Sequence, residues 1–163
     1  MTKTKKLVLT SLFAALTCVA TMIIRIPTPM NGYLNLGDAL VLISGYTLGP
    51  WLGAVAGGLG SMLADIFAGY AVYAPATLVI KAAVAAVGAS LEIVLPKKLK
   101  INYILSALIA ECIMVGGYFA FECFILGEGI AAAVSIPGNI FQGIAGIIIS
   151  SVIMSVVKFK NIQ

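Results

Sequence analysis

The chain has 163 residues, 61% hydrophobic and only 10% charged, with ten Lys and Arg against six Asp and Glu and no histidine. A soluble domain averages about half apolar and a quarter charged residues, so this balance excludes a water-soluble protein. At ~20 apolar residues per crossing plus connections, six spans use up the whole length. The expected architecture is therefore all-α: a polytopic membrane protein of six transmembrane helices, with residues 1–163 forming a single integral membrane domain.

In chain order, Met-Thr-Lys-Thr-Lys-Lys precedes an apolar run from about Leu7 to Ile26. That run is too long for a signal-peptide h-region and lacks a small-residue cleavage site, so it reads as a retained first span. Pro27 and Pro29 end it, and a connection rich in turn formers continues to Leu36. Span two, Gly37 to Leu48, has only about twelve residues, which suggests a tilted or partly re-entrant helix. Gly49-Pro50 turns the chain into span three, Trp51 to Phe67. Here Gly49, Gly53, Gly57 and Ser61, continued by Asp65 and Gly69, recur every fourth position, a spacing that lets helix backbones approach closely. Packing within the chain is the simplest use for that ladder. Gly69 to Ala74 is an aromatic connection, and Pro75 opens span four, Ala76 to Leu95. Pro96-Lys97-Lys98-Leu99-Lys100 breaks the chain before span five, Asn102 to Leu126. Gly127-Glu128-Gly129 turns it, Ile130 to Ser135 is apolar but irregular, and Pro137-Gly138 opens span six, which continues to about Val157.

The cations set an orientation. Lys3, Lys5 and Lys6 precede span one, Lys97, Lys98 and Lys100 separate spans four and five, and Lys158 and Lys160 follow span six. With six spans these three clusters share one side. The positive-inside rule makes that side cytoplasmic, with both termini there. The same rule accounts for the net charge of +4 without a nucleic-acid partner.

Several chemistries are excluded by what is missing. Without histidine the chain lacks the commonest metal ligand and general base, and Cys18, Cys112 and Cys123 are unclustered and read as small buried hydrophobes. No metal or cofactor is expected. No Gly-x4-Gly-Lys-Ser/Thr occurs, so the chain cannot energise transport by itself with a P-loop ATPase. Histidine-dependent hydrolases are excluded in their usual forms, and Asp38 and Asp65 sit in no recognisable protease motif. The chain reads as non-enzymatic.

The remaining polar residues converge. Span four enters from outside, so Lys81, six residues after Pro75, lies ~9 Å below that entry at 1.5 Å per residue. Glu122 lies near the outer end of span five, Asn139 and Gln142 in the first turns of span six, and Asp38 and Asp65 at the outer ends of spans two and three. Ionisable groups inside membrane segments are costly and mark functional sites by default. Glu111, Val115, Tyr118 and Glu122 follow one helix face, with Glu111 deeper. A purely structural use is Lys81 neutralising Asp65 or Glu122 as a pair that fixes helix register. A ligand pocket is the alternative, and the two amides and nearby tyrosines exceed what one ion pair needs. Tyr33, Tyr70, Tyr73 and Tyr118 would supply flat faces with polar tips, and the amides donors and acceptors. That chemistry suits a small planar heteroaromatic molecule with hydroxyl groups.

Four stretches then carry a resemblance: Tyr33-Leu34-Asn35-Leu36-Gly37-Asp38-Ala39, Gly49-Pro50-Trp51-Leu52-Gly53, Asp65-Ile66-Phe67-Ala68-Gly69-Tyr70 and Ala74-Pro75-Ala76-Thr77-Leu78-Val79-Ile80-Lys81. Together with Pro137-Gly138-Asn139 and Gln142, they resemble the substrate-binding S components of energy-coupling factor (ECF) transporters. Within these they resemble the riboflavin-transporter-like branch that includes proposed pyridoxine and hydroxymethylpyrimidine carriers. The resemblance implies capture of a vitamin or precursor outside a prokaryotic plasma membrane. It also implies docking on a transmembrane coupling protein served by two cytoplasmic ATPases. A small-x3-small motif on span one would meet the coupling protein, with Ser11 and Ala15 or Ala14 and Cys18 as candidates. Gating loops would map to Pro27–Leu36 and Gly69–Pro75. Glu122, Asn139 and Gln142 would contact ligand, with Tyr118, Tyr73, Tyr33 and Asp65 around it and Lys81 either touching ligand or orienting Glu122. A vitamin B6 form or hydroxymethylpyrimidine is the favoured cargo, with riboflavin or another vitamin also open. Two other classes remain open: an autonomous secondary transporter driven by protons through Glu111 and Glu122, and a membrane assembly protein whose polar layer is only structural.

Overall fold

A computed structural model describes residues 2–28, 32–96 and 101–157. Lys97, Lys98, Lys100, Lys158 and Lys160, which carry most of the orientation expectation, lie outside the described residues. The architecture is helical: α1 Lys3–Ile23, α2 Gly37–Leu48, α3 Pro50–Ala68, α4 Ala74–Val94, α5 Asn102–Ala120 and α6 Ile136–Val156. A π-turn, Phe121–Ile125, extends α5, and a 3₁₀ segment, Gly129–Ser135, leads into α6. Counting these extensions, five helices among the described residues are long and apolar enough to cross a membrane, and α2 is shorter. Their outward faces carry large apolar residues such as Leu12, Leu16, Val19, Trp51, Phe67 and Ile148, the arrangement a lipid solvent requires.

Helix α1 begins earlier than the hydropathy suggests because Thr2 caps it, accepting a hydrogen bond from the Lys5 amide at 3.4 Å. It also ends earlier. Ile26–Pro27 (β1) leaves the helix and pairs antiparallel with Tyr33–Leu34 (β2), in register Ile26↔Leu34 and Pro27↔Tyr33. Two such short strands carry no period-2 pattern, so the sequence reads only as a turn-rich connection. Pro27 is tolerated because an edge strand does not need its missing donor.

Helix α2 has the expected bounds. All of its residues except Leu40 are buried, so protein rather than lipid encloses it along its length. It packs against α1, α3, α4 and α6. An apolar helix of 10–14 residues is commonly a core element, and one apolar on all sides must be covered on all sides. Its stop is sharp: Gly49 adopts φ 84° and donates to the Gly45 carbonyl at 2.9 Å, and Pro50 starts α3.

The glycine ladder of α3 is used inside the chain. A Cβ on Gly53 would fall 2.4 Å from the Cα of Gly45, and one on Gly57 would meet Val41 at 3.1 Å. Gly60, off the ladder, lets α3 approach α1, where a Cβ would lie 2.4 Å from the Ala14 carbonyl oxygen. The resulting core gathers Val41, Leu42, Val84, Ala110 and Met114 around α2. Cysteine burial is mixed: Cys18 is buried, Cys123 half-buried, and Cys112 exposed on the outside of α5, contrary to the expectation of three buried thiols. The exposed helix faces are apolar enough that a small thiol fits there too.

Candidate functional site

The start of α2 is built around Asn35 and Asp38. Asn35 accepts from the Gly37 amide at 2.8 Å through its side chain, a local turn that releases the chain into the helix. Asp38 follows in the first turn, where the helix dipole favours an acid. Asp38 forms an ion pair with Lys81, and the two are 0% and 2% exposed. Gln142 donates to the other Asp38 oxygen at 2.6 Å, and its own carbonyl accepts from the Asn35 amide at 2.8 Å. The Lys81 ammonium also lies 5.3 Å from the centre of the Tyr118 ring, a cation–π contact. Four elements, the loop before α2, α2 itself, α4 and α6, are thereby tied at one point.

This cluster corrects two expectations. Lys81 pairs with Asp38 rather than with Asp65 or Glu122, and it does not orient Glu122. Asp38 is not an outer rim group but sits beneath the pocket. The reason is vertical register: α2 is short and enclosed, so its first turn lies level with the second turn of α4, where Lys81 is.

Above the cluster lies a pocket lined by Thr28, Gly32, Tyr33, Asn35, Asp65, Tyr73, Thr77, Tyr118, Glu122, Ser135, Asn139 and Gln142. The cavity volume is about 30 Å³, room for a water rather than for an organic molecule, so a ligand needs the covering loops to move apart. Of the ligand-binding residues expected from the sequence, Glu122, Asn139, Gln142, Tyr118, Tyr73, Tyr33 and Asp65 line it and Lys81 does not.

Glu122 reaches the pocket through the π-turn, in which the Leu126 amide bonds the Phe121 carbonyl at 3.0 Å, a five-residue rather than four-residue step. Such turns recur at functional sites because they re-aim side chains within a helix. Glu122 accepts from the Tyr73 hydroxyl at 3.2 Å on one oxygen and from Ser135, at the end of the 3₁₀ segment, on the other. Across the pocket Tyr33 donates to Asp65 Oδ1 at 2.6 Å, while Oδ2 is buried and has no hydrogen-bond partner among the described residues. The Thr77 and Tyr118 hydroxyls lie 3.0 Å apart.

The mouth is covered by two loops. The β1–β2 hairpin presents Tyr33, whose ring lies 4.6 Å from that of Tyr70 in the α3–α4 connection. Gly32 passes close to Tyr73, where an added Cβ would be 3.6 Å from the ring. Burial and the neighbouring Asp65 carboxyl push the Tyr33 phenol above its ordinary range, and burial and Glu122 do the same for Tyr73. Both therefore remain hydrogen-bond donors. Tyr70, expected in the pocket, stacks on Tyr33 from outside it.

Thr28, Gly32, Asn35, Thr77 and Ser135 were not singled out as site residues from the sequence. Thr77 had a usable signal: it precedes Lys81 by one turn on the same face of α4. Ser135 had none, because its role depends on the 3₁₀ segment folding back over the π-turn.

Glu111, on the Glu122 stripe, is separate from the pocket. It is 3% exposed, and neither carboxyl oxygen has a hydrogen-bond partner among the described residues. On α1 the candidate docking pairs divide: Ser11 and Ala15 are exposed, whereas Cys18 is buried and the Ala14 carbonyl is covered by Gly60 of α3.

A protein-family profile described as "ECF-type riboflavin transporter, S component" matches residues 1–158. The chain belongs to this S component family. S components are transporter subunits and not enzymes. A curated relative, an "uncharacterized protein in gap 3'region" of Pyrococcus woesei, is 37% identical over 135 residues, covering 80% of this chain and 86% of the relative. The thiamine precursor transporter HmpT of Lactococcus lactis subsp. cremoris (strain MG1363) is 29% identical over 160 residues, covering 97% of this chain and 90% of that protein. A solved structure of the S component of a bacterial ECF transporter superposes with TM-score 0.76 at 23% identity, over 93% of this chain and 94% of that one. At that identity the likeness bears on the fold alone.

Proposed function

We propose that this S component captures a small heteroaromatic vitamin precursor, of the hydroxymethylpyrimidine class or a vitamin B6 form, on the outer side of a prokaryotic plasma membrane. The pocket carries this reading: a loop-covered cavity whose lining is tyrosine faces, amides and carboxyls, placed at one end of the helix bundle. A thiamine precursor transporter among the relatives favours the pyrimidine. In this reading Glu122, Asn139, Tyr118, Tyr73, Tyr33 and Asp65 contact the ligand. Gln142 lines the pocket but has both ends of its amide engaged, so it positions Asn35 and Asp38 while presenting an edge to the cargo.

The topology in this reading is six crossings of a single membrane domain, α2 counted among them, with both termini cytoplasmic. The three lysine clusters and the pocket then lie at opposite ends, which suits capture outside and energy supply inside. A transmembrane coupling protein with two ATPase subunits supplies the energy that the chain's own sequence cannot. The docking face is the one bearing Ser11 and Ala15, since Ala14 and Cys18 are engaged with the bundle.

The test is identification of copurified ligand by mass spectrometry, followed by calorimetric titration of the purified protein with a panel of vitamins and precursors. A dissociation constant below about 10 μM, roughly −7 kcal/mol, is expected for at least one pyrimidine or pyridine member. Failure of the whole panel to reach that affinity sinks the capture reading.

A further inference from the structure

The pocket is lopsided in charge. Two carboxyl groups, Asp65 and Glu122, line it, and no Lys or Arg among the described residues does. The cation the sequence offers for balance, Lys81, is turned away and held by Asp38 and Gln142 beneath the floor. Arg25, beside the hairpin, is exposed and is not part of the lining, and Pro29, Met30 and Asn31 between the strands carry no charge.

The free hydrogen-bonding capacity points the same way. Asp65 Oδ2 is buried and unpartnered among the described residues, and a carboxylate is acceptor-only with about four lone-pair sites, of which the hydroxyl contacts on Glu122 use only some. A bound molecule is thus met by two carboxyl acceptors whose Tyr33, Tyr73 and Ser135 donors are already committed to them, beside the neutral Asn139 amide and the Thr28, Thr77 and Tyr118 hydroxyls. A ligand with N–H or O–H groups at both ends satisfies the two carboxyls. An anionic ligand would bring a third negative charge into a water-poor site, where like charges repel far more strongly than in bulk water.

Resting on the capture reading above, the geometry points to a charge filter: the pocket takes uncharged or cationic heterocycles that donate hydrogen bonds to Asp65 and Glu122, and it rejects carboxylated or phosphorylated forms of the same ring. Asp65 and Glu122 set this selectivity. Lys81 reaches Asp65 only through space, since its direct partner is Asp38.

Matched pairs test it by isothermal titration in detergent or nanodiscs. One pair is 4-amino-5-hydroxymethyl-2-methylpyrimidine and the same pyrimidine with a 5-carboxylate; the other is pyridoxine and 4-pyridoxic acid. In each pair a hydroxymethyl group becomes a carboxylate of similar size. In whichever pair binds, the alcohol is expected to bind at least ~100-fold more tightly, the scale of one like-charge encounter at close range in a protein interior. Asp65→Asn and Glu122→Gln should each narrow that ratio at least tenfold. A wild-type carboxylate within tenfold of its alcohol overturns the filter while leaving capture intact, and that measurement needs no variant to fold. An unchanged ratio in both folded variants also overturns it. Absence of binding by either alcohol overturns both the filter and the capture reading.

Discussion

Two buried polar groups of residues lie one above the other, and they differ in how completely they are satisfied. In the lower one Asp38, Lys81, Gln142 and Asn35 bind one another, with the Glu111 carboxyl, unpartnered among the described residues, nearby beside Gly146. In the upper one Asp65 and Glu122 line the same pocket, and one Asp65 oxygen has no hydrogen-bond partner among the described residues. A closed network inside a membrane bundle fixes helix register, while an open one is completed by something that arrives. Under the proposed function the cargo completes the upper group, while the lower one ties the helices together.

The largest effect should come from breaking the lower network. Lys81→Met leaves the Asp38 carboxylate buried without its counter-ion, a change expected to cost about 3–5 kcal/mol. Thermal unfolding in detergent should show a collapse of stability, and Asp38→Asn combined with Lys81→Met should recover most of it. Wild-type-like stability for Lys81→Met alone would mean the pair holds nothing together.

Glycine positions sharpen the contrast between framework and periphery. Gly53→Ala drives a methyl into the backbone of Gly45, which cannot move aside, and overpacking of this kind costs about 1–3 kcal/mol. Gly116→Ala meets nothing within 4 Å and should change stability by less than about 0.5 kcal/mol. The pair is read from melting temperatures measured side by side; equal shifts would contradict the close approach of α2 and α3.

A smaller effect, and one on rates, is expected at the mouth. Tyr33→Phe removes the hydroxyl that closes the hairpin onto Asp65 but keeps the ring on Tyr70. A hydrogen bond to a charged group contributes about 1.5 kcal/mol or more, so ligand release followed by stopped-flow fluorescence should be about tenfold faster, with stability little changed. An unaltered release rate would remove the hairpin from any gating role.

Much of this was legible in the sequence because lipid imposes strong rules. Six apolar segments, their proline and glycine stops and the small-residue ladder were readable from periodicity and composition. Depth along helices gave Asp65, Glu122, Asn139 and Gln142, a helix-face stripe gave Tyr118, and the aromatic outer loops gave Tyr33 and Tyr73. Depth counting does not reveal rotation about the helix axis or which neighbour stands opposite, so it placed Lys81 in the right layer but gave it the wrong partner. Nor does it show what covers α2, because a helix apolar on every side looks the same whether lipid or protein surrounds it. The hairpin, the π-turn and the 3₁₀ segment are set by tertiary packing and leave no periodic trace.

The π-turn has a further consequence for how the chain tolerates change in length. It holds one residue more than an α-helical turn needs, so deleting a residue such as Phe124 would let α5 run on as an uninterrupted helix. At 3.6 residues per turn that repair rotates the downstream chain by about 100°, swinging the 3₁₀ segment and Ser135 away from Glu122. The segment is thus a phase adjuster between two helices: the more regular version of this chain would be the one with no pocket.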